Sequence, residues 1–90
     1  MTDKELHRQK QQYKQRLKEI KESHGCHDCG EKNHIVLDFD HIRDKKHNIS
    51  RMIHDGFSWK AIKKEIDKCE VVCANCHRIR TYLRLTSASA

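Results

Sequence analysis

Two Cys-x-x-Cys pairs, Cys26/Cys29 and Cys73/Cys76, bracket a segment containing Asp40-His41, and the second pair runs directly into His77. Two-residue spacing lets both sulfurs of a pair reach one tetrahedral ion at about 2.3 Å, and thiolates favour Zn²⁺. Four sulfurs leave no open coordination position, so this metal is expected to be structural. Asp40, His41 and His77 instead offer carboxylate and imidazole donors, which suit a harder, catalytic cation. Two ligand sets of different chemistry imply two different jobs.

Those residues need elements to aim them. Residues 3–23 lack Gly and Pro and are rich in Lys, Glu, Gln and Arg, which predicts one helix. Leu6, Tyr13, Leu17 and Ile20 form a narrow apolar stripe for docking on the rest of the domain, and Lys10 interrupts it as a dimer seam. His24-Gly25 is a natural stop. Gly30 lets the first cysteine knuckle turn so that amides face the sulfurs. A strand is expected over 35–42, with Ile35, Leu37 and Phe39 on one face and Val36, Asp38 and Asp40 on the other. Because alternation aims neighbours oppositely, a bend after Asp40 is expected if Asp40 and His41 are to serve one site. A polar loop over 43–48 precedes a short amphipathic turn at Ile49, Met52 and Ile53, which Gly56 ends. Ser58 caps a second helix with Trp59, Ile62 and Ile66 at helical spacing, and Trp59 is read as a core anchor. A short strand over 70–72 leads to the second knuckle and a last helix over 74–83.

Ninety residues of which 36% are apolar and 36% charged bury only a thin core, so a metal staple is expected to supply much of the folding free energy. No N-terminal apolar run of signal-peptide length and no apolar run of about 18 residues occurs, so a cytoplasmic location with reduced thiols and no membrane partner is expected. Cys69, the fifth cysteine, reads as a small buried strand residue. The net charge of +6 is carried by the flanks: residues 1–24 hold seven Lys/Arg against four acids, residues 25–76 nine against nine, and residues 77–90 three Arg and no acid. Basic ends around a neutral centre suit a polyanion gripped on either side of a site. Arg78, Arg80 and Arg84 on the last helix are the candidate nucleic-acid contacts.

The 43 residues between Cys29 and Cys73 exceed the spacing of a simple zinc ribbon. Leu37-Asp38-Phe39-Asp40-His41-Ile42 resembles the first-strand motif of the HNH endonucleases, and Cys73-Ala74-Asn75-Cys76-His77-Arg78 resembles their C-x-x-C-H segment; the likeness covers residues 26–84. The resemblance implies an α+β, zinc-stapled ββα-metal domain, here with an N-terminal helix and short helices between the two strands. Its expected boundaries are a basic helix at 1–24, the nuclease domain at 25–84 and a disordered tail at 85–90. It also implies that His41 is the general base, that Asp40 and His77 bind a catalytic divalent ion (Mg²⁺ or Mn²⁺, with Ni²⁺ or Zn²⁺ as alternatives), and that Cys26, Cys29, Cys73 and Cys76 hold Zn²⁺. The substrate implied is DNA. The family's central Asn has no counterpart at its usual place, which Lys68 roughly occupies. Asn48 is the nearest substitute, with a plain turn residue as the other reading. His47 is read as a surface histidine.

Two rival readings stand beside the nuclease: a zinc-ribbon module that binds DNA without catalysis, and a zinc-stabilised adaptor for proteins. A monomer with one active site would be expected to nick one strand.

Overall fold

The computed structural model describes residues 2–88. Helix α1 (Asp3–His24) begins at a reciprocal cap, in which the Thr2 hydroxyl accepts from the Glu5 amide and the Glu5 carboxylate accepts from the Thr2 amide. It ends at Gly25, whose φ of +67° and ψ of 177° are open essentially to glycine alone. After the first knuckle, Asn33 accepts a hydrogen bond from the Ile35 amide and caps a single 3₁₀ turn at His34–Val36. The turn shortens the expected strand from its N-terminal end: β1 spans Leu37–His41, and Ile35 is 78% exposed instead of joining Leu37 and Phe39 on the inner face.

Two short helices follow, α2 (Ile49–His54) and α3 (Trp59–Ile66), the second capped by Ser58 through the Ala61 amide. Strand β2 (Cys69–Cys73) pairs antiparallel with β1 in the register Leu37↔Cys73, Asp38↔Val72, Phe39↔Val71, Asp40↔Glu70, His41↔Cys69. Helix α4 (Ala74–Ala88) leaves the second knuckle without a break. It runs past the expected end at Leu83, since no Gly or Pro interrupts it. Residues 85–88 are therefore helical instead of forming part of a disordered tail, while 89–90 lie outside the described residues.

The core has two parts. Tyr13, Ile49, Met52, Ile53, Ile62 and Ile66 close the space between α1, α2 and α3, with Leu17, Ile20, Phe57 and Trp59 at its edge. Cys26, Leu37, Val71, Val72 and Cys73 form the other part, between the first knuckle and the sheet. Phe39 touches both. Trp59 lies tilted on Tyr13 with the Arg16 guanidinium over its face, as an anchor of the first part. Among the described residues no helix is long and apolar enough to cross a membrane.

Candidate metal centre and adjoining cleft

The four cysteines converge. Their sulfurs all lie within 4.8 Å of one another, and among the described residues they are the one group of three or more His, Cys, Asp or Glu side chains placed this closely. Cys29 Sγ and Cys73 Sγ are 3.7 Å apart. That matches the edge, about 3.8 Å, of a tetrahedron with metal–sulfur bonds of about 2.3 Å. In each knuckle an amide points back at the first sulfur, Cys29 N to Cys26 Sγ and Cys76 N to Cys73 Sγ, both at 3.4 Å. Burial pushes the Cys26 thiol up, but amides of Cys73, Cys29 and Asp28 outweigh it and lower the pKa to about 6. Hydrogen bonding with the Cys73 thiol, and then burial, raises Cys76. Sulfurs that share protons so closely form a site that can hold one metal ion such as zinc.

The residues beyond the thiols divide between the two faces of β1. Strand alternation runs unbroken from Leu37 to His41, without the expected bend. Asp38 and Asp40 face α4, and His41 faces α3. On the α4 side His77 sits between two carboxylates, Nδ1 3.3 Å from Asp38 Oδ2 and Nε2 3.6 Å from Asp40 Oδ1. Asp40 is buried and accepts from Arg84 Nη1 (2.9 Å), Arg84 Nη2 (2.7 Å) and Arg80 Nη1 (2.9 Å). Burial raises its pKa, yet the hydrogen bonds from Arg84 and then Arg80 prevail and hold it below the usual carboxylate range.

Arg80 also makes a two-pronged bond to Asp28 inside the first knuckle, both prongs at 2.7 Å, and a third contact to Glu70 on β2. The Asp28 bonds foremost, against the opposing effect of burial, raise its pKa. Of the three arginines expected on DNA, Arg80 is therefore turned inward onto three carboxylates, and Arg84 is paired with Asp40 while half exposed. Arg78 is exposed beside Asn75, Ile79 and Tyr82.

On the α3 side, His41 Nε2 lies 3.4 Å from Glu65 Oε2, buried and without a hydrogen bond. Glu65 is itself buried, held by Lys68 Nζ at 3.1 Å and the Lys46 amide at 3.4 Å. Burial raises its pKa, and the bonds from Lys68 and Lys46 overcome that and lower it. Lys68, at the place of the missing Asn, thus serves Glu65 and the Asp44 carbonyl. Cys69 is half-buried, its thiol pushed up to about 11 by burial.

The faces meet along one edge of the sheet. A cleft of about 780 Å³ runs beside β1 and is lined by Asp38, His41, His77 and Asn48, with Lys10, Lys14 and Lys21 of α1 along one wall. Asn48 precedes α2, but its side chain makes no capping bond, so the amide is free at the cleft. Asp40 does not line the cleft. His47 packs against Phe57 with ring centroids 5.1 Å apart, away from any metal ligand set.

Sequence reasoning missed Glu65 and Asp38 as partners of the histidines. Both carried a signal. Glu65 falls on the same helical face as Ile62 and Ile66, where a lone carboxylate must find a partner, and Asp38 shares a strand face with Asp40. Compared with family models, with curated proteins and with solved structures, the chain matches none.

Proposed function

We propose that this chain is a zinc-stapled phosphodiesterase of the HNH type that nicks DNA held in the cleft beside β1. The observation that carries this reading is the convergence of His41, His77, Asp38 and the uncapped Asn48 on one lysine-walled cleft. The donors on the α4 side are chemically suited to a divalent cation. Asp40 Oδ1 and His77 Nε2 are 3.6 Å apart, somewhat wider than the roughly 3 Å between adjacent ligands of an octahedral ion with 2.1 Å bonds. Arg80 and Arg84 already stand around Asp40 as cations, which a buried carboxylate requires, and the half-exposed Arg84 is the one free to yield its place. Of Asp40 and His77, only His77 lines the cleft, and an ion held by the pair would supply charge stabilisation to the phosphate and to the departing oxygen from that side.

The chain's own groups do the rest. His41 accepts a proton from the attacking water at Nδ1, Nε2 being the nitrogen beside Glu65. The buried Glu65 carboxylate then stabilises the imidazolium that results. Asp38 holds the His77 ring in place through Nδ1. Asn48 presents an amide to the phosphate at the mouth of the cleft. The zinc cluster fixes the start of α4, hence His77, one residue beyond Cys76.

A second reading is favoured by the Asp40–Arg80–Arg84 contacts: a module that binds DNA without cutting it, with Asp40 serving only as an internal counter-charge. Supercoiled plasmid incubated with the zinc-loaded protein separates the two. Relaxed circles that appear with Mn²⁺ or Mg²⁺ and vanish with His41→Ala support the nuclease. Retarded but uncut plasmid at every metal concentration supports the binding module and overturns the nuclease.

A further inference from the structure

We infer that the grip on the nucleic-acid backbone belongs to α1, through Lys10, Lys14 and Lys21, and not to Arg80 and Arg84 of α4. The inference rests on the proposed DNA-acting cleft, and it concerns which face meets the phosphates. Five cationic side chains line that cleft, Lys10, Lys14 and Lys21 on one wall with Lys45 and Arg51 also lining it, against the single carboxylate of Asp38. Arg51 is paired with Asp55 at 3.1 Å. None of the four lysines enters an ion pair among the described residues, Lys21 resting over the Phe39 ring at the cleft wall, whereas Arg80 and Arg84 are engaged by carboxylates.

Helix geometry sorts the charges. At about 100° per residue, Lys10, Lys14, Leu17 and Lys21 fall within about 60° of arc, with Glu19 and Glu22 outside it. That sector adjoins the apolar stripe of Tyr13, Leu17 and Ile20 which docks α1 on the core, so docking the helix turns its lysines toward the cleft. A rise of about 1.5 Å per residue sets Lys10 and Lys14 about 6 Å apart along the axis and Lys14 and Lys21 about 10 Å apart. The axial rise of about 3.4 Å per phosphate is only part of the distance between neighbouring phosphates of one strand, roughly 7 Å along the winding backbone, so the step of about 6 Å matches one phosphate interval and the step of about 10 Å falls between one and two, within reach of flexible lysine side chains. The side chains thus form a row that one sugar–phosphate backbone can follow past His41 and His77. No base edge is read by such a row, and binding is expected to be indifferent to sequence.

The test is fluorescence anisotropy of a labelled DNA duplex of about 30 base pairs, titrated with zinc-loaded full-length protein over a series of salt concentrations without divalent cation. Lys10→Gln, Lys14→Gln and Lys21→Gln together should lower the slope of log affinity against log salt by about 2 to 3, since each phosphate contact contributes about 0.9. A control of equal charge, Lys4→Gln, Lys60→Gln and Lys64→Gln, removes lysines that do not line the cleft and should change the slope by less than about one. Equal slope changes in the two triples would show that net charge alone governs binding, and would overturn the inference, as would wild-type protein that fails to bind the duplex. If the cleft triple loses the slope while wild type never cuts plasmid, the lysine row stands and the nuclease reading fails; cutting with an unaffected slope is the reverse. Zinc content and circular dichroism check folding. Should the cleft triple lose zinc, the single variants, each expected to lower the slope by about one, carry the same test.

Discussion

His77 lies between two carboxylates and faces α4's side of the sheet, whereas His41 faces the single carboxylate of Glu65 on the other. On the proposed nuclease reading the two imidazoles do different work, and their removal should fail differently. His41→Ala should lower the nicking rate by about two to four orders of magnitude, the span for a lost general base, and excess Mn²⁺ should not restore it. His77→Ala should weaken the divalent ion, so that part of the rate returns at high Mn²⁺. The reverse pattern of rescue would exchange the two roles. Arg84 gives a third handle at this scale, because its guanidinium occupies Asp40 from a half-exposed position. Arg84→Ala should tighten Mn²⁺ binding by about three- to tenfold, measured by the electron paramagnetic resonance of free Mn²⁺, because it frees Asp40 Oδ1 for the ion while Arg80 still counters the buried carboxylate. Weaker binding would mean that Arg84 supports the site instead of competing for it.

At the scale of elements, α3 carries more than packing. Its apolar face was legible from Ser58, Trp59, Ile62 and Ile66, and both cap and burial agree with that pattern. Glu65 on the same face was not read as a partner, because two of its partners, the Lys46 amide and His41, come from the polar loop before α2 and from β1; Lys68, in the turn before β2, is the local one. The cysteine pairs were legible for a comparable reason in reverse, since two-residue spacing constrains each pair locally and only one tetrahedral ion satisfies both. Contacts that depend on where α4 crosses the sheet were not. Arg80 and Arg84 read as free basic residues in the sequence, and only the crossing brings them to Asp28, Asp40 and Glu70, about forty or more residues away in two of the three cases. Ile35 was misplaced because Asn33 caps a turn where a strand was expected to begin. For Glu65 the sign of the pH effect follows from its depressed pKa. A carboxylate held lower in the folded state stabilises the fold above its unfolded value, about 4.3, and that contribution fades as pH falls through the folded value. Glu65→Gln should therefore lower the urea midpoint relative to wild type by a constant amount between about pH 5 and 8, with the gap closing as pH drops below about 4. A gap that widens in acid would contradict the depressed pKa.

For the whole molecule the question is whether its two core parts stand separately. One part is built from helices and holds Trp59, and the other holds two of the metal-site cysteines, Cys26 and Cys73. Neither is large. The helical part rests on six buried side chains, and α1 draws its stability from the apolar face that it packs there. The parts are joined at β1: Phe39 packs on both, the Lys21 ammonium sits 5.3 Å from its ring, and His41 meets Glu65 of α3. Arg80 adds a polar tie from α4 to the first knuckle and to both strands, so losing the cluster releases the strands and the start of α4 together. Metal removal should therefore unfold both parts as one unit. Titrating the zinc-loaded protein with a chelator should red-shift Trp59 emission in step with zinc release, although Trp59 belongs to the part without cysteines. Cys76→Ser, which breaks the tetrahedral set, should bind less than about one zinc per chain and show the red-shifted emission from the outset. Trp59 emission that keeps its folded value after all zinc has left would show a helical subdomain stable by itself, and the metal would then be a local clamp on the cleft and not the staple of the fold.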